Sequence, residues 1–227
     1  MPEAPIGEVD LLIEKGYRVN RSTIGIVPMA ADQLDAAAGV MARGFQNDPL
    51  FTAIWPDPDE RASSLNQLAR WDLADAGAGD KVLVTVGSVQ GVAKAIRSDT
   101  HKPLDEDDFH RLKVELTPSA WQRFKDVHAF SFADQQLKTK TPEAHWYLQA
   151  LAVSPEHQGR GIGSALMDSL HVCADADGLP TALLTFQPRN VPLYQRNGYQ
   201  TVAEGTEPGE GLPFWCMKRE PKVGIRF

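Results

Sequence analysis

The sequence predicts an α/β fold: a mixed sheet with antiparallel flanks and helices packed against it. Two observations carry that expectation. Between residues 145 and 196 the pattern runs strand, helix, strand, helix in close succession, which calls for a right-handed parallel crossover within one sheet. Upstream, residues 81–86 and 89–96 are apolar and β-branched and are separated only by Gly87-Ser88, a usable tight turn for an antiparallel hairpin. At 227 residues, the chain suits one domain with an elaboration better than two.

Taken in order, residues 23–27 read as a short strand closed by Pro28. Leu34, Ala38, Met41 and Phe45 then recur at spacings of four and three, one buried helical face, and that helix stops near Asn47-Asp48-Pro49. The stretch 50–58 holds Phe51, Ile54 and Trp55 between prolines and reads as an irregular loop, its aromatics either core or substrate wall, before a helix over 60–76. After the hairpin, residues 98–140 turn polar and read as an insertion carrying an acidic run at 105–108 and two helices. The second opens at Thr117-Pro118, a cap followed by proline at the first helical position, with Trp121, Phe124 and His128 on one face. There follow a strand over 145–153, a turn over 154–160, helices over 161–175 and 191–196, and strands over 181–186, 199–203 and 214–218.

Composition narrows the function. With 23 basic against 30 acidic residues the net charge is −7, the wrong sign for a phosphate-backbone binder, so no nucleic-acid partner is expected, while an amine substrate suits the balance. Residues 1–10 carry acids and no basic leader, and no run of about 18 apolar residues occurs, so the expectation is a cytoplasmic protein with no membrane partner. Cys173 and Cys216 have no second Cys or His at ligand spacing, which argues against a disulfide or a metal. Cys173 falls in register with Leu166 and Ser169 on a helix face and reads as a buried thiol, not a nucleophile.

The chemistry concentrates in Gln158-Gly159-Arg160-Gly161-Ile162-Gly163-Ser164, between a strand and a helix. Physically this is an anion cradle. Gly161 and Gly163 let a phosphate approach the backbone, the first helical N–H groups have no intrahelical partner, and Arg160 can add a charge-assisted hydrogen bond. A dinucleotide fingerprint needs its third glycine at 164 or 166, where Ser164 and Leu166 stand, so that reading fails on spacing.

The run Leu151-Ala152-Val153-Ser154-Pro155-Glu156-His157-Gln158 through Ser164, followed by Pro188-Arg189-Asn190-Val191-Pro192-Leu193-Tyr194-Gln195-Arg196-Asn197-Gly198-Tyr199, resembles the GNAT superfamily of N-acetyltransferases. With Trp146-Tyr147-Leu148 and Phe214-Trp215-Cys216-Met217, it looks most like the puromycin N-acetyltransferase group. The resemblance covers about 145–218; it departs at Leu184 and Phe186, where some relatives place a polar or acidic residue toward the substrate. It implies a mostly antiparallel sheet of six to seven strands around a central pair of splayed parallel strands, with acetyl-CoA as cosubstrate and its pantetheine arm lying between them. By position, it implies that Leu151 and Val153 offer backbone groups to that arm, that residues 158–164 hold the pyrophosphate, that Asn190 bonds the pantetheine, and that Tyr194 protonates the leaving thiolate.

A thioester is already activated, so the protein must align an amine, take its proton and stabilise an oxyanion, for which a backbone N–H near Ala152 or Val153 is the natural donor. His145, Tyr147 and Gln149 alternate to one face of their strand, and among them only His145 titrates near neutrality, which makes it the candidate base unless it simply begins the strand. Asn190 also suits a helix N-cap. Phe51, Trp55, Trp121, Tyr147 and Phe186 are the candidate acceptor wall for a small-molecule amine. A protein or peptide acceptor, or a non-catalytic acyl-CoA-binding module, are the alternatives.

Overall fold

The computed structural model describes residues 24–77, 79–101 and 106–222. The leader region 1–10, Thr23 of the first expected strand and Asp105 of the acidic run lie outside them. Strand β1 (Ile26–Pro28) leads into helix α1 (Leu34–Phe45), which buries Ala38 and Met41 of the expected stripe together with Ala37, Val40 and Ala42, while Leu34 and Phe45 are half-buried. Where an irregular loop was expected, a short helix α2 (Pro49–Ile54) forms. The Asp48 carboxylate accepts from the Leu50 N–H at 3.0 Å and Pro49 occupies the first helical position, so the residues that stop α1 also start α2. Helix α3 (Pro58–Ala74) begins in the same way, with Asp57 accepting from Asp59 and Glu60.

Strands β2 (Lys81–Thr85) and β3 (Gly91–Arg97) make the expected antiparallel pair, but their connection spans 86–90 and not two residues. The Thr85 hydroxyl donates to the Ser88 carbonyl at 2.9 Å and accepts from the Gln90 N–H at 2.8 Å, so a side chain closes the longer loop while Gly87 supplies a φ of +78°. The insertion holds three helices, α4 (Glu106–Glu115), α5 (Pro118–Asp126) and α6 (Ala129–Lys140), one more than expected. In α6 little besides Ala133 and Leu137 is buried, too thin a stripe to stand out in a polar sequence, and His128 begins that helix instead of sharing a face with Trp121. Glu106, Asp107 and Asp108 of the acidic run form the first turn of α4, where negative charge meets the positive end of the helix dipole.

Strand β4 (Trp146–Val153), helix α7 (Ile162–Asp177), strand β5 (Thr181–Thr185), helix α8 (Val191–Arg196) and strands β6 (Gln200–Thr206) and β7 (Pro213–Arg219) complete the order. Among the described residues the sheet has seven strands in the order β1-β2-β3-β4-β5-β7-β6, antiparallel throughout except for the parallel pair β4–β5. Helix α7 covers one face, burying Leu166, Met167 and Leu170 against Ala93, Leu148 and Leu183. Helices α1 and α3 cover Val84, Val92, Ala150 and Ala152, while Leu112, Ala120, Ala133 and Leu137 of the insertion join Trp55, Phe186 and Phe214 in one apolar cluster. Among the described residues no helix is long and apolar enough to cross a membrane. Cys216 is buried with its thiol pushed up to about 12 by desolvation, and Cys173 is half-buried on α7, more open than its register suggested.

One buried group sets a pH dependence of stability. His171 on α7 lies 3.1 Å from the Tyr199 hydroxyl, and burial pushes its pKa from 6.5 down to about 3, with the Arg219 charge adding to the effect. Between those values the unfolded chain binds a proton that the fold refuses, so stability is full above pH 6.5 and falls as the pH drops. At about 1.36 kcal/mol per unit this amounts to about 3 kcal/mol by pH 4. Urea denaturation of the parent and a His171→Phe variant at pH 7 and pH 4 should show the variant losing less stability by about that amount; parallel losses would assign the acid sensitivity elsewhere.

Candidate active site

The sheet opens at its centre. The β4–β5 ladder pairs Trp146 with Thr181 and Tyr147 with Ala182 and then ends, although both strands continue. The same stretch of β4 carries a bulge: Lys94 pairs with Ala150 and Ala95 with Leu148, leaving Gln149 as the extra residue. Its effect on facing is direct. Leu148 packs with α7, yet Ala150 and Ala152 pack with α1, and it is Leu151 and Val153 that return to the α7 side. Past the bulge, β4 therefore presents to the opening backbone that β5 no longer pairs.

The turn after β4 builds a cradle at the mouth of this opening. Ser154 donates its N–H to the Gln90 carbonyl at 2.9 Å, and the Gln158 amide donates to the Val153 carbonyl at 3.1 Å, fastening the turn to the strand end. Gly159 and Gly161 have φ of +75° and +85°, which L side chains rarely adopt, so both are required by the chain path. Gly161 is the N-cap of α7 and has no side chain with which to cap it, so the first amides of the sixteen-residue helix point outward with the positive end of its dipole. Gly163 differs. A Cβ there would meet Leu193, Val153 and Leu151 only at 3.9–4.0 Å, so the fold itself leaves room for a side chain. Arg160 is exposed beside Gln90 and Thr85, whereas Ile162 is buried under the cradle and can contribute only backbone. The Ser164 hydroxyl accepts from the Asn197 amide at 3.2 Å, tying α7 to the end of α8.

Across the opening stand Asp48 and Tyr194. Helix α1 approaches β4 so closely that a Cβ on Gly44 would lie 2.9 Å from the Ala152 Cβ, and this contact delivers the α1–α2 elbow to the cleft. Arg61, itself buried, pins that elbow through the Gln46 carbonyl at 2.8 Å, the Pro56 carbonyl at 2.9 Å and the Trp55 carbonyl. Burial lifts the Asp48 carboxyl to about 6, with the Leu50 N–H and the Arg189 charge pulling it partly back. Tyr194 on α8 is buried edge-on to Tyr199, with ring centroids 6.0 Å apart. Its hydroxyl is pushed well above the usual tyrosine range by desolvation, then by Tyr199 and by the Asp48 charge. The elbow also meets the turn before α8, where the Gln187 amide donates to the Asn47 carbonyl at 3.4 Å. Asn190 occupies the N-cap position of α8 without making a capping hydrogen bond, which frees its amide. Sequence reasoning missed Asp48 because Asp-Pro was read as a stop; the same dipeptide is a helix start, and that signal was available.

The expected acceptor wall divides. Phe51 packs edge-on to Phe45 at 5.6 Å and stacks on Trp55 at 6.1 Å, Trp55 stacks on Phe124 at 6.2 Å, and Phe124 on Trp121 at 6.0 Å. Tyr147 and Phe186 join the same cluster. Trp55, however, is wholly buried, its indole N–H donating to the Ala120 carbonyl at 3.1 Å, so it fastens α5 to the body and lines no surface. His145 is not brought to the cleft. It precedes β4 at the end remote from the cradle, roughly 25 Å from Val153 at strand rise, with Nδ1 2.7 Å from the Glu143 carbonyl and its backbone N–H donating to the Ser98 hydroxyl at 3.0 Å. Its ring belongs to the closed end of the sheet.

Known proteins share both the motif region and the architecture. Residues 126–201 match the family model of the acetyltransferase (GNAT) domain. The chain is 33% identical over 117 residues to an uncharacterized N-acetyltransferase of Schizosaccharomyces pombe, a match that covers 50% of this chain and 47% of that relative, about half the length of each. A histone acetyltransferase HPA2 and related acetyltransferase structure from Corynebacterium glutamicum superposes with a TM-score of 0.61 at 19% identity, covering 89% of this chain and 98% of that one. Arylalkylamine N-acetyltransferase 2 of Aedes aegypti does so with a TM-score of 0.58 at 13% identity, covering 88% and 100%. The parallel pair β4–β5, the glycine cradle and helix α7 thus fall within residues 126–201, the region similar to the acetyltransferase (GNAT) domain.

Proposed function

We propose that this chain transfers the acetyl group of acetyl-CoA to the primary amine of a small molecule, by direct attack within a ternary complex. The observation that carries the reading is the placement of an uncapped helix N-terminus at one end of the β4–β5 opening and the Asp48–Tyr194 pair across it. When bound, acetyl-CoA supplies an activated acyl group with a thiolate leaving group. The amides from Ile162 to Ser164, with Arg160, suit its pyrophosphate; the Leu151 backbone, the Val153 N–H and the Asn190 amide suit the pantetheine, whereas Ala152 turns its backbone to Val92 on β3.

Asp48 takes the base role in place of His145: a carboxylate raised to about 6 is mostly ionised at neutral pH, yet basic enough to accept a proton from an ammonium as its nitrogen turns to the carbonyl. A C–N bond forms, the nitrogen releases its second proton to solvent as the C–S bond breaks with its electron pair going to sulfur, and Tyr194 protonates that sulfur. The proton held by Asp48 then restores the phenol. Amides of β4 beyond the bulge stabilise the oxyanion. Phe51, beside Asp48, offers an apolar surface to the body of the amine, and the arylalkylamine N-acetyltransferases that share the fold support an acceptor of that kind. The likeness of residues 146–148, 188–199 and 214–217 to the puromycin N-acetyltransferases supports membership of that group. Incubating the protein with acetyl-CoA and a panel of arylalkylamines, aminonucleosides, polyamines and peptides, with free thiol as readout, tests the assignment; transfer confined to peptides would overturn the small-molecule half of it.

The cradle carries its own prediction. Gly163→Glu places bulk and negative charge where the fold has space but a phosphate must approach, so calorimetry should show CoA binding lost with an unchanged circular dichroism spectrum. Undiminished affinity in the folded variant would remove the pyrophosphate from this site.

A further inference from the structure

We infer that Lys94, Asp72 and Gln149 form a clamp that holds the β4 bulge in place, and that they are positioning residues for the acetyl-transfer end of the cleft. The inference rests on the acetyltransferase reading above. Lys94 lies in the middle of β3, 3% exposed, where an apolar side chain would satisfy the core at no cost in charge desolvation. Its ammonium instead donates to the Asp72 carboxylate at 2.7 Å and to the Asp72 carbonyl at 2.8 Å, both on α3. The same carboxylate oxygen accepts from the Gln149 amide at 3.4 Å. One atom of Asp72 thus joins the residue paired at the edge of the bulge, Lys94 opposite Ala150, to the residue the bulge inserts.

The location matters because a bulge is a movable defect. Shifting the extra residue along β4 keeps most of the ladder but turns the intervening side chains to the other face. Leu151 and Val153, whose neighbouring backbone faces the opening, sit just past it. An ion pair that merely fastened α3 to the sheet would involve Lys94 and Asp72 and leave Gln149 without consequence. The bond from Gln149 makes the arrangement specific to the bulge.

The test compares Gln149→Leu, Lys94→Met and the double variant in the full chain. Each single change should lower kcat about tenfold, as a displacement of reacting groups by a fraction of an ångström does, with CoA affinity by calorimetry within about twofold of the parent. The double variant should fall no further than the worse single one, the mark of groups acting as a unit. Hydrogen exchange should quicken at the amides of residues 148–152 in both single variants and stay unchanged in β7. Parent values of kcat and exchange in Gln149→Leu would overturn the clamp, as would a Lys94→Met variant that lost only thermal stability. Should Lys94→Met fail to fold, Asp72→Asn takes its place beside Gln149→Leu. If the parent itself acetylates no amine, the proposed function falls, and exchange over residues 148–152 alone decides the clamp.

Discussion

Replacing Tyr194 by phenylalanine is expected to lower turnover about 10²-fold with folding and acetyl-CoA binding retained. The hydroxyl is buried, and desolvation holds its pKa above the ordinary range, so it stays protonated across the working pH range. A phenol so raised would be a poor acid toward an ordinary thiolate in water. In this cleft the nascent thiolate suffers the same desolvation, which raises its proton affinity along with that of the phenol. The ring itself packs against Tyr199, and phenylalanine preserves that contact. Only the proton is removed. Rapid-quench measurement of the chemical step distinguishes the roles: a rate within about twofold of the parent would leave Tyr194 a packing residue.

Substituting Asp48 by asparagine should be at least as damaging, about 10²- to 10³-fold in kcat/KM, and should also change the shape of the pH profile. The base must be ionised to work. With its pKa raised to about 6, parent activity should climb as the pH rises through that value and level off above it, whereas the asparagine variant should lack this limb. Asp48 also accepts from the Leu50 N–H, and asparagine keeps an oxygen for that cap, so α2 should survive the change. Asp48→Ala removes the cap as well and serves as the harsher comparison. A parent-like acidic limb in Asp48→Asn would return the base role to another group, and His145→Gln is the variant to measure beside it.

Much of the fold was readable along the chain, and the elements that were readable share a cause. The stripe of α1, the crossover through α7 and the residues of α8 are local patterns, in which helix period, capping and burial coincide within a dozen residues. The cradle belongs with them, because positive φ at Gly159 and Gly161 is a demand on single residues. The third insertion helix escaped notice because it buries so few residues, and the 86–90 loop because the Thr85 hydroxyl does work usually done by backbone.

Sequence alone was sufficient for the α/β class, the splayed parallel pair implied by family likeness, and a glycine-rich helix start suited to an anion. Tertiary structure decided which charged group lies near Tyr194. Tyr147 lies on β4 and His145 just before it, but the ladder to β5 is closed at that end and open only beyond Tyr147, a fact about strand separation that no one-dimensional pattern records. Asp48 reaches the cleft because Gly44 allows α1 to press on Ala152, a contact between residues more than a hundred positions apart, and its pKa is raised by the burial that this packing creates. Ionisation and proximity depend on what surrounds a side chain in space, and the surroundings of Asp48 come from α2, the turn carrying Arg189, and α8, which meet only when the chain has folded.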